Sequence, residues 1–203
     1  MTRPGASLPE LLLQAGARAD VGDADAHVYR AALRVLSREG TRHVTVEKIA
    51  AEAGSSRMTL FRKFGSKDEI LAAALAWSLV DLFAQTMEVL ERTQDVAERV
   101  EAVFVLCCRA GRAMLPSSSP EERAALFADE RLDPVGYGVR FVSAILSEEQ
   151  AAGKTSPGDT AFRADAIVRL TTACFTVSPS PFDLTDDDAA RAYARAALVP
   201  IVS

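Results

Sequence analysis

The sequence predicts an all-α protein. Ala and Leu dominate a chain that is 49% hydrophobic and only 6% aromatic, and these are strong helix formers. Apolar residues recur at helical spacing through each long segment. Two Pro/Ser clusters, Pro116-Ser117-Ser118-Ser119-Pro120 and Ser178-Pro179-Ser180-Pro181, fall between segments and break them. No strand alternation or internal repeat emerges. A length of 203 residues suits one or two small domains with real cores.

In chain order, residues 1–22 read as a leader. Ser7-Leu8-Pro9-Glu10 has the form of a capping box with proline in the first turn. Arg3 and Arg18 make a DNA-touching arm conceivable, against a loosely ordered terminus. Asp23 or Asp25 then caps a helix to about Arg38, with Val28, Ala31, Ala32, Val35 and Leu36 on one face and Gly40 as its stop. Thr45 caps a short helix whose inner face is Ile49, Ala50 and Ala53. Gly54 allows a tight turn, and Ser55 or Ser56 caps a third helix at about 56–62, with Leu60, Phe61 and Phe64 turned to the core.

Ser66-Lys67-Asp68-Glu69 is a second capping box. It opens a long helix over about 67–92, striped with Leu71, Leu75, Leu79, Leu82, Phe83, Met87 and Leu90. Further helices are predicted over about 95–114, 121–129, 133–152, 160–177 and 186–199, the last capped by Thr185. The domain reading is a leader (1–22), a three-helix unit (23–68), and a helical bundle (69–203) joined to it by the long helix.

Residues 44–67 carry the clearest functional pattern: short helix, glycine turn, short helix ending in basic residues. This is the layout of a helix-turn-helix, whose second helix enters the major groove of DNA. Net charge is −5 overall, yet residues 28–67 hold nine Lys/Arg against three acids, a surplus of six that leaves −11 on the remainder. A basic module on an acidic body confines phosphate contact to the module.

The order Thr45, Ile49-Ala50, Ala53-Gly54, Ser56, Thr59-Leu60-Phe61, Lys63-Phe64 and Ser66-Lys67-Asp68 resembles the DNA-binding domain of TetR-type (tetracycline-repressor family) transcriptional regulators over about residues 25–72. Against the family pattern, Ser55 replaces a Val, Met58 a small residue, Phe61 a Tyr and Lys63 a His. The absent Tyr hydroxyl removes one phosphate hydrogen bond, while Lys63 keeps a phosphate-directed donor.

The resemblance implies that Thr45 and Lys67 meet phosphates and that Lys63 and Arg62 add charge beside the recognition helix. Ser56, Arg57, Met58, Thr59 and Phe61 complete the DNA-binding set. Arg57 is the candidate for guanine readout, with another phosphate contact as its alternative. Phe61 is more simply a core or sugar-packing residue. The resemblance further implies an effector pocket in the body, with Trp77, Phe104, Cys107, Met114, Phe127, Tyr137 and Phe141 as lining candidates and Arg109, Arg112 and Arg140 available to an acidic ligand. Its expected partners are double-stranded DNA carrying a palindromic operator, a second copy of the chain, and a small-molecule effector. Ile167, Leu170, Cys174, Tyr193, Ala196 and Ala197 are the candidate dimer residues, on faces shared with Ala166, Ala173, Ala189 and Ala190.

The expected activity is a ligand-released repressor. A helical protein-interaction adaptor and a DNA-binding protein without ligand control are the alternatives. An enzyme is not expected: His27 and His43 lie in the expected DNA-binding region (23–68) and no nucleophile–base set is visible. Cys107, Cys108 and Cys174 lack metal-ligand spacing and read as small core residues, with redox sensing as the alternative. No catalytic group, metal or cofactor is expected, and neither is a membrane span; the expected location is the cytoplasm.

Overall fold

The computed structural model of the chain describes residues 23–114, 119–128, 133–177 and 181–202. The capping box at Ser7 and the arm residues Arg3 and Arg18 lie outside them. The described residues form helices α1 (Asp23–Glu39), α2 (Val46–Glu52), α3 (Arg57–Phe64), α4 (Lys67–Arg92), α5 (Val96–Met114), α6 (Pro120–Phe127), α7 (Pro134–Ala151), α8 (Thr160–Thr176), α9 (Asp187–Ala197) and α10 (Val199–Val202). No strand occurs among them.

Helices α1 to α3 and the start of α4 enclose one core. Val35, Leu36, Ile49, Leu60, Ile70 and Ala74 are fully or almost fully buried in it. Ile70, Ala74 and Leu75 belong to α4, so the first turns of that helix are part of the head. Farther along, Phe83 stacks on Phe141 of α7 at 4.2 Å between ring centroids. One helix of 26 residues, about 39 Å long, is therefore a component of both cores.

The body has two packed pairs. Phe104, Val105 and Cys108 of α5 meet Ala190 and Ala194 of α9 and Leu198, while Phe104 stacks on Tyr193 at 5.5 Å. Arg195 of α9 grips buried Glu101 of α5 with two hydrogen bonds of 2.8 and 2.9 Å. Helices α7 and α8 form the second pair, with Leu146 beside Ala164. A Cβ at Gly111 of α5 would lie 2.7 Å from the Phe175 ring, so the absent side chain sets how closely α5 and α8 approach.

Three expectations change. The last helix is capped by Asp186, whose carboxylate accepts from the Ala189 amide; Thr185 instead bonds Asp183. That helix also divides after Ala197 into α9 and α10, because Pro200 has no N–H to give to the preceding turn. Finally, one 18-residue window of the Lys67–Arg92 helix is more apolar than expected, with a mean hydropathy of 1.6. Its apolar residues serve the head at one end and the body at the other, which makes both ends Leu- and Ala-rich.

Candidate nucleic-acid interface and effector cavity

The helix-turn-helix is fixed by its caps. Thr45, in extended backbone, accepts from the Lys48 amide and opens α2. Gly54 closes the turn at φ +57°, a left-handed conformation that costs other residues about 1 kcal/mol or more. The Ser55 amide donates back to the Ala50 carbonyl at 2.9 Å. Ser56 then caps α3 by accepting from the Thr59 amide at 3.0 Å. The His27 ring of α1 donates to the Ala53 carbonyl, which ties the turn to the head core.

Leu60, 1% exposed, anchors α3. The opposite face is open: Arg57, Met58, Thr59, Phe61, Arg62 and Lys63 are all exposed. Phe61 corrects the core expectation, since it is 57% exposed and Met58 is 73% exposed. Helix α3 docks along Leu60 and Phe64, and Phe61 lies one helical step, about 100°, away from Leu60. The Thr45 and Ser56 hydroxyls accept the capping bonds of the Lys48 and Thr59 amides, and the exposed Thr45 keeps its O–H as a donor.

The cations of this face are held by neighbouring acids. Arg57 pairs with Glu47 at 2.7 Å, Lys63 with Asp25, and Lys67 approaches Asp68 at 3.6 Å. Glu52 holds both Arg34 and Arg38. These two guanidiniums keep the Glu52 carboxyl below its ordinary range. Arg62 has no ion-pair partner among the described residues. The cations of these pairs are well exposed, so each pair contributes little to stability.

Residues 28–74 match the sequence profile of the tetR family of bacterial regulatory proteins. The match lies within α1 to α3 and the first turns of α4. It is 33% identical over 76 residues to the HTH-type transcriptional regulator BetI of Brucella anthropi, covering 37% of this chain and 39% of that protein. It is 34% identical over 98 residues to BetI of Rhizobium meliloti, covering 48% and 46%. The chain thus spans less than half the length of these curated relatives. Its fold is shared more widely. The fatty acid degradation regulator FadR from Bacillus halodurans superposes with a TM-score of 0.66 at 16% identity, over 90% of this chain and 96% of that one. A structure described as the molecular basis for control of antibiotic production by bacterial hormones gives 0.70 at 19%, over 90% and 98%.

The body of the chain contains a cavity of about 220 Å³. Four lining candidates border it: Phe104, Cys107, Phe127 and Phe141. Trp77 does not, because it is two helical steps from the lining residue Leu79 and packs instead into the head, beneath Arg30. Tyr137 also lies outside the lining, packed beside the Phe83–Phe141 stack with Arg140 over its ring. The Met114 side chain is outside the described residues. The three arginines suggested for an acidic ligand face elsewhere. Arg109 pairs with Asp187, Arg112 donates to the Leu184 carbonyl, and Arg140 pairs with Asp133.

Sequence reasoning missed a polar corner of the cavity, formed by Arg99, Glu149 and Thr155. It also missed an entire wall from α8, including Val168, Thr171 and Phe175. Ile167, expected at a dimer interface, is on this wall. Cys174 and Tyr193 are likewise directed inward, packed against the α5–α9 core. Leu170 and Ala196 are exposed and Ala197 is half-buried. The outward face of α8 continues from Leu170 to Phe162 and Val177, 77% and 69% exposed. Their helical spacing around Leu170 was the available signal.

Proposed function

We propose that this chain is a sequence-specific DNA-binding transcriptional regulator, a repressor released from a palindromic operator when a small molecule enters the body. The observation that carries the reading is the open, capped face of α3, on which Arg57, Met58, Thr59 and Phe61 are exposed. Arg57 exchanges Glu47 for a guanine edge. Lys63, Lys67, Arg62 and the Thr45 end of α2 take phosphates.

A second copy pairs through the outward faces of α8 and α9. Phe162, Ala166, Leu170, Ala173 and Val177 make one stripe, and Ala192 with Ala196 make another whose small side chains allow close approach. Two heads then address half-sites about 34–36 Å apart. The effector acts through α4 and α6. Helix α6 presents Phe127 to the cavity and Glu122 to the head, where Glu122 accepts from Thr41 at 2.7 Å and lies near Arg42. Binding that separates the heads weakens operator affinity, and by linkage the operator weakens effector affinity equally. The regulator works in the cytoplasm, and no chemistry is assigned to it.

The test is a gel shift on the upstream region of its own gene, followed by titrations on specific and random duplexes. Arg57→Ala is expected to narrow the gap between the two by about tenfold or more, in line with about 1–3 kcal/mol for a bidentate contact. Lys67→Ala is expected to weaken both alike. Equal loss on both duplexes for Arg57→Ala would remove its readout role.

A further inference from the structure

The cavity's charge balance is decided by two side chains. Arg99 and Glu149 are the charged residues among its described lining, and they lie 2.6 Å apart. Their charges cancel. Lys154 also approaches Glu149, at 3.6 Å, from outside the lining. Arg99 is not free to turn toward a ligand. Its Nε donates to the Thr93 carbonyl and its Nη2 to the Leu90 carbonyl, so it closes the C-terminal end of α4. Turning away would orphan both carbonyls and leave Glu149 with only the more exposed Lys154 beside it. A buried ionised ligand would therefore lack a counter-charge, a penalty that exceeds the return from one hydrogen bond.

The same corner has unmet hydrogen bonds. The Thr155 hydroxyl is buried without a partner among the described residues. Arg99 Nη1 and Glu149 Oε2 form a close ion pair, yet neither atom has a well-aligned hydrogen bond among the described residues. These groups are adjacent in the fold, since the Lys154 amide donates to the Glu149 carbonyl and brings Thr155 alongside. The corner thus offers an acceptor, a donor and a hydroxyl at one end of an otherwise mainly apolar space lined by residues such as Leu79, Phe83, Val103, Phe141 and Val168. Thr86, also in the lining, has its hydroxyl satisfied by the Leu82 carbonyl.

We propose that the cavity takes an uncharged, mostly apolar molecule with a single hydroxyl or carbonyl group, seated against Thr155, Glu149 and Arg99. An apolar cavity of about 150 Å³ accommodates benzene, so this one suits on the order of ten non-hydrogen atoms. A ligand hydroxyl donates to Glu149 and accepts from Thr155; a carbonyl accepts from Thr155 and Arg99. The proposal rests on the effector-cavity reading given above.

Four probes on one skeleton test it by calorimetry and thermal shift on the full chain: 4-phenyl-1-butanol, butylbenzene, 4-phenylbutyrate and 4-phenylbutylamine. The alcohol is expected to bind about tenfold or more tighter than either charged analogue. Thr155→Val should weaken the alcohol about tenfold, as for one lost buried hydrogen bond. It should leave butylbenzene unchanged and leave the unliganded Tm equal or higher, because an unpartnered hydroxyl is removed. Tightest binding by the butyrate or the amine would overturn the neutral class while leaving the effector cavity standing. Alcohol affinity indifferent to Thr155→Val would overturn the polar corner. Failure of all four probes would remove both readings, while duplex DNA binding by the same preparation reports separately on the head.

Discussion

The head and the body are made of the same helices and the same aliphatic residues, but they place their chemistry oppositely. In the head the interior is full: Val35, Ile49 and Ile70 have no exposure and Leu60 almost none. Its polar groups are outside, satisfied by caps and exposed ion pairs. In the body the interior is incomplete, with a cavity of about 220 Å³ and buried polar atoms that lack partners. A filled core makes a rigid platform for reading a surface. A core with a hole and an unsatisfied corner fits the receptor role proposed for the body, in which stability responds to whatever enters.

The largest expected effect is in the head. Leu60→Ala should cost about 2–5 kcal/mol and abolish duplex binding, read by denaturant unfolding and by DNA titration. A loss well under 1 kcal/mol would mean α3 is not anchored as described. Next comes a matched pair of insertions. Val35→Phe in the head should destabilise by about 1–3 kcal/mol or more through overpacking, whereas Val103→Phe on the cavity wall should cost less than about 1 kcal/mol, because its ring enters existing space. Equal costs would erase the contrast between the two regions.

The remaining effects are electrostatic and of opposite sign with pH. Arg34 and Arg38 hold the Glu52 carboxyl below its ordinary value of 4.5. The stability this gives is present above 4.5 and is lost as pH falls through the lowered folded value. Burial pushes the Cys107 thiol from 9.0 up to about 12. That contribution is present below 9 and is lost as pH rises toward 12, since only the unfolded chain ionises in that window. Tm measured against pH should lose its acid limb partly with Glu52→Gln and its alkaline limb partly with Cys107→Ala. Variants that leave both limbs unchanged would refute the assignments.

The head was largely legible in the sequence because its determinants are local. Thr45, Gly54, Ser56 and Ser66 act on residues within a few positions of themselves, so spacing alone reveals them. Phe61 was misplaced because helical periodicity gives a face but not its boundary. The body was legible as helices and in four of its lining residues, Phe104, Cys107, Phe127 and Phe141, but not in its polar corner or its α8 wall. Its cavity is made from residues far apart in the chain, such as Leu79, Arg99, Phe141, Thr155 and Val168. The rotation of each helix about its axis decides which of two apolar stripes faces in. That rotation put Ile167 on the cavity wall and Leu170 outside, though they are three residues apart. Arg99 looked like any surface arginine in the sequence, and only the fold shows it closing α4 beside Glu149.

The most direct test of the account is duplex binding by the full chain across a salt series, read by fluorescence anisotropy. The account predicts tight binding at low salt, with log affinity falling linearly against log salt as displaced counterions are counted. Absence of binding at low salt, or an affinity that does not change with salt, would contradict the reading of α3 and its cations as a nucleic-acid interface.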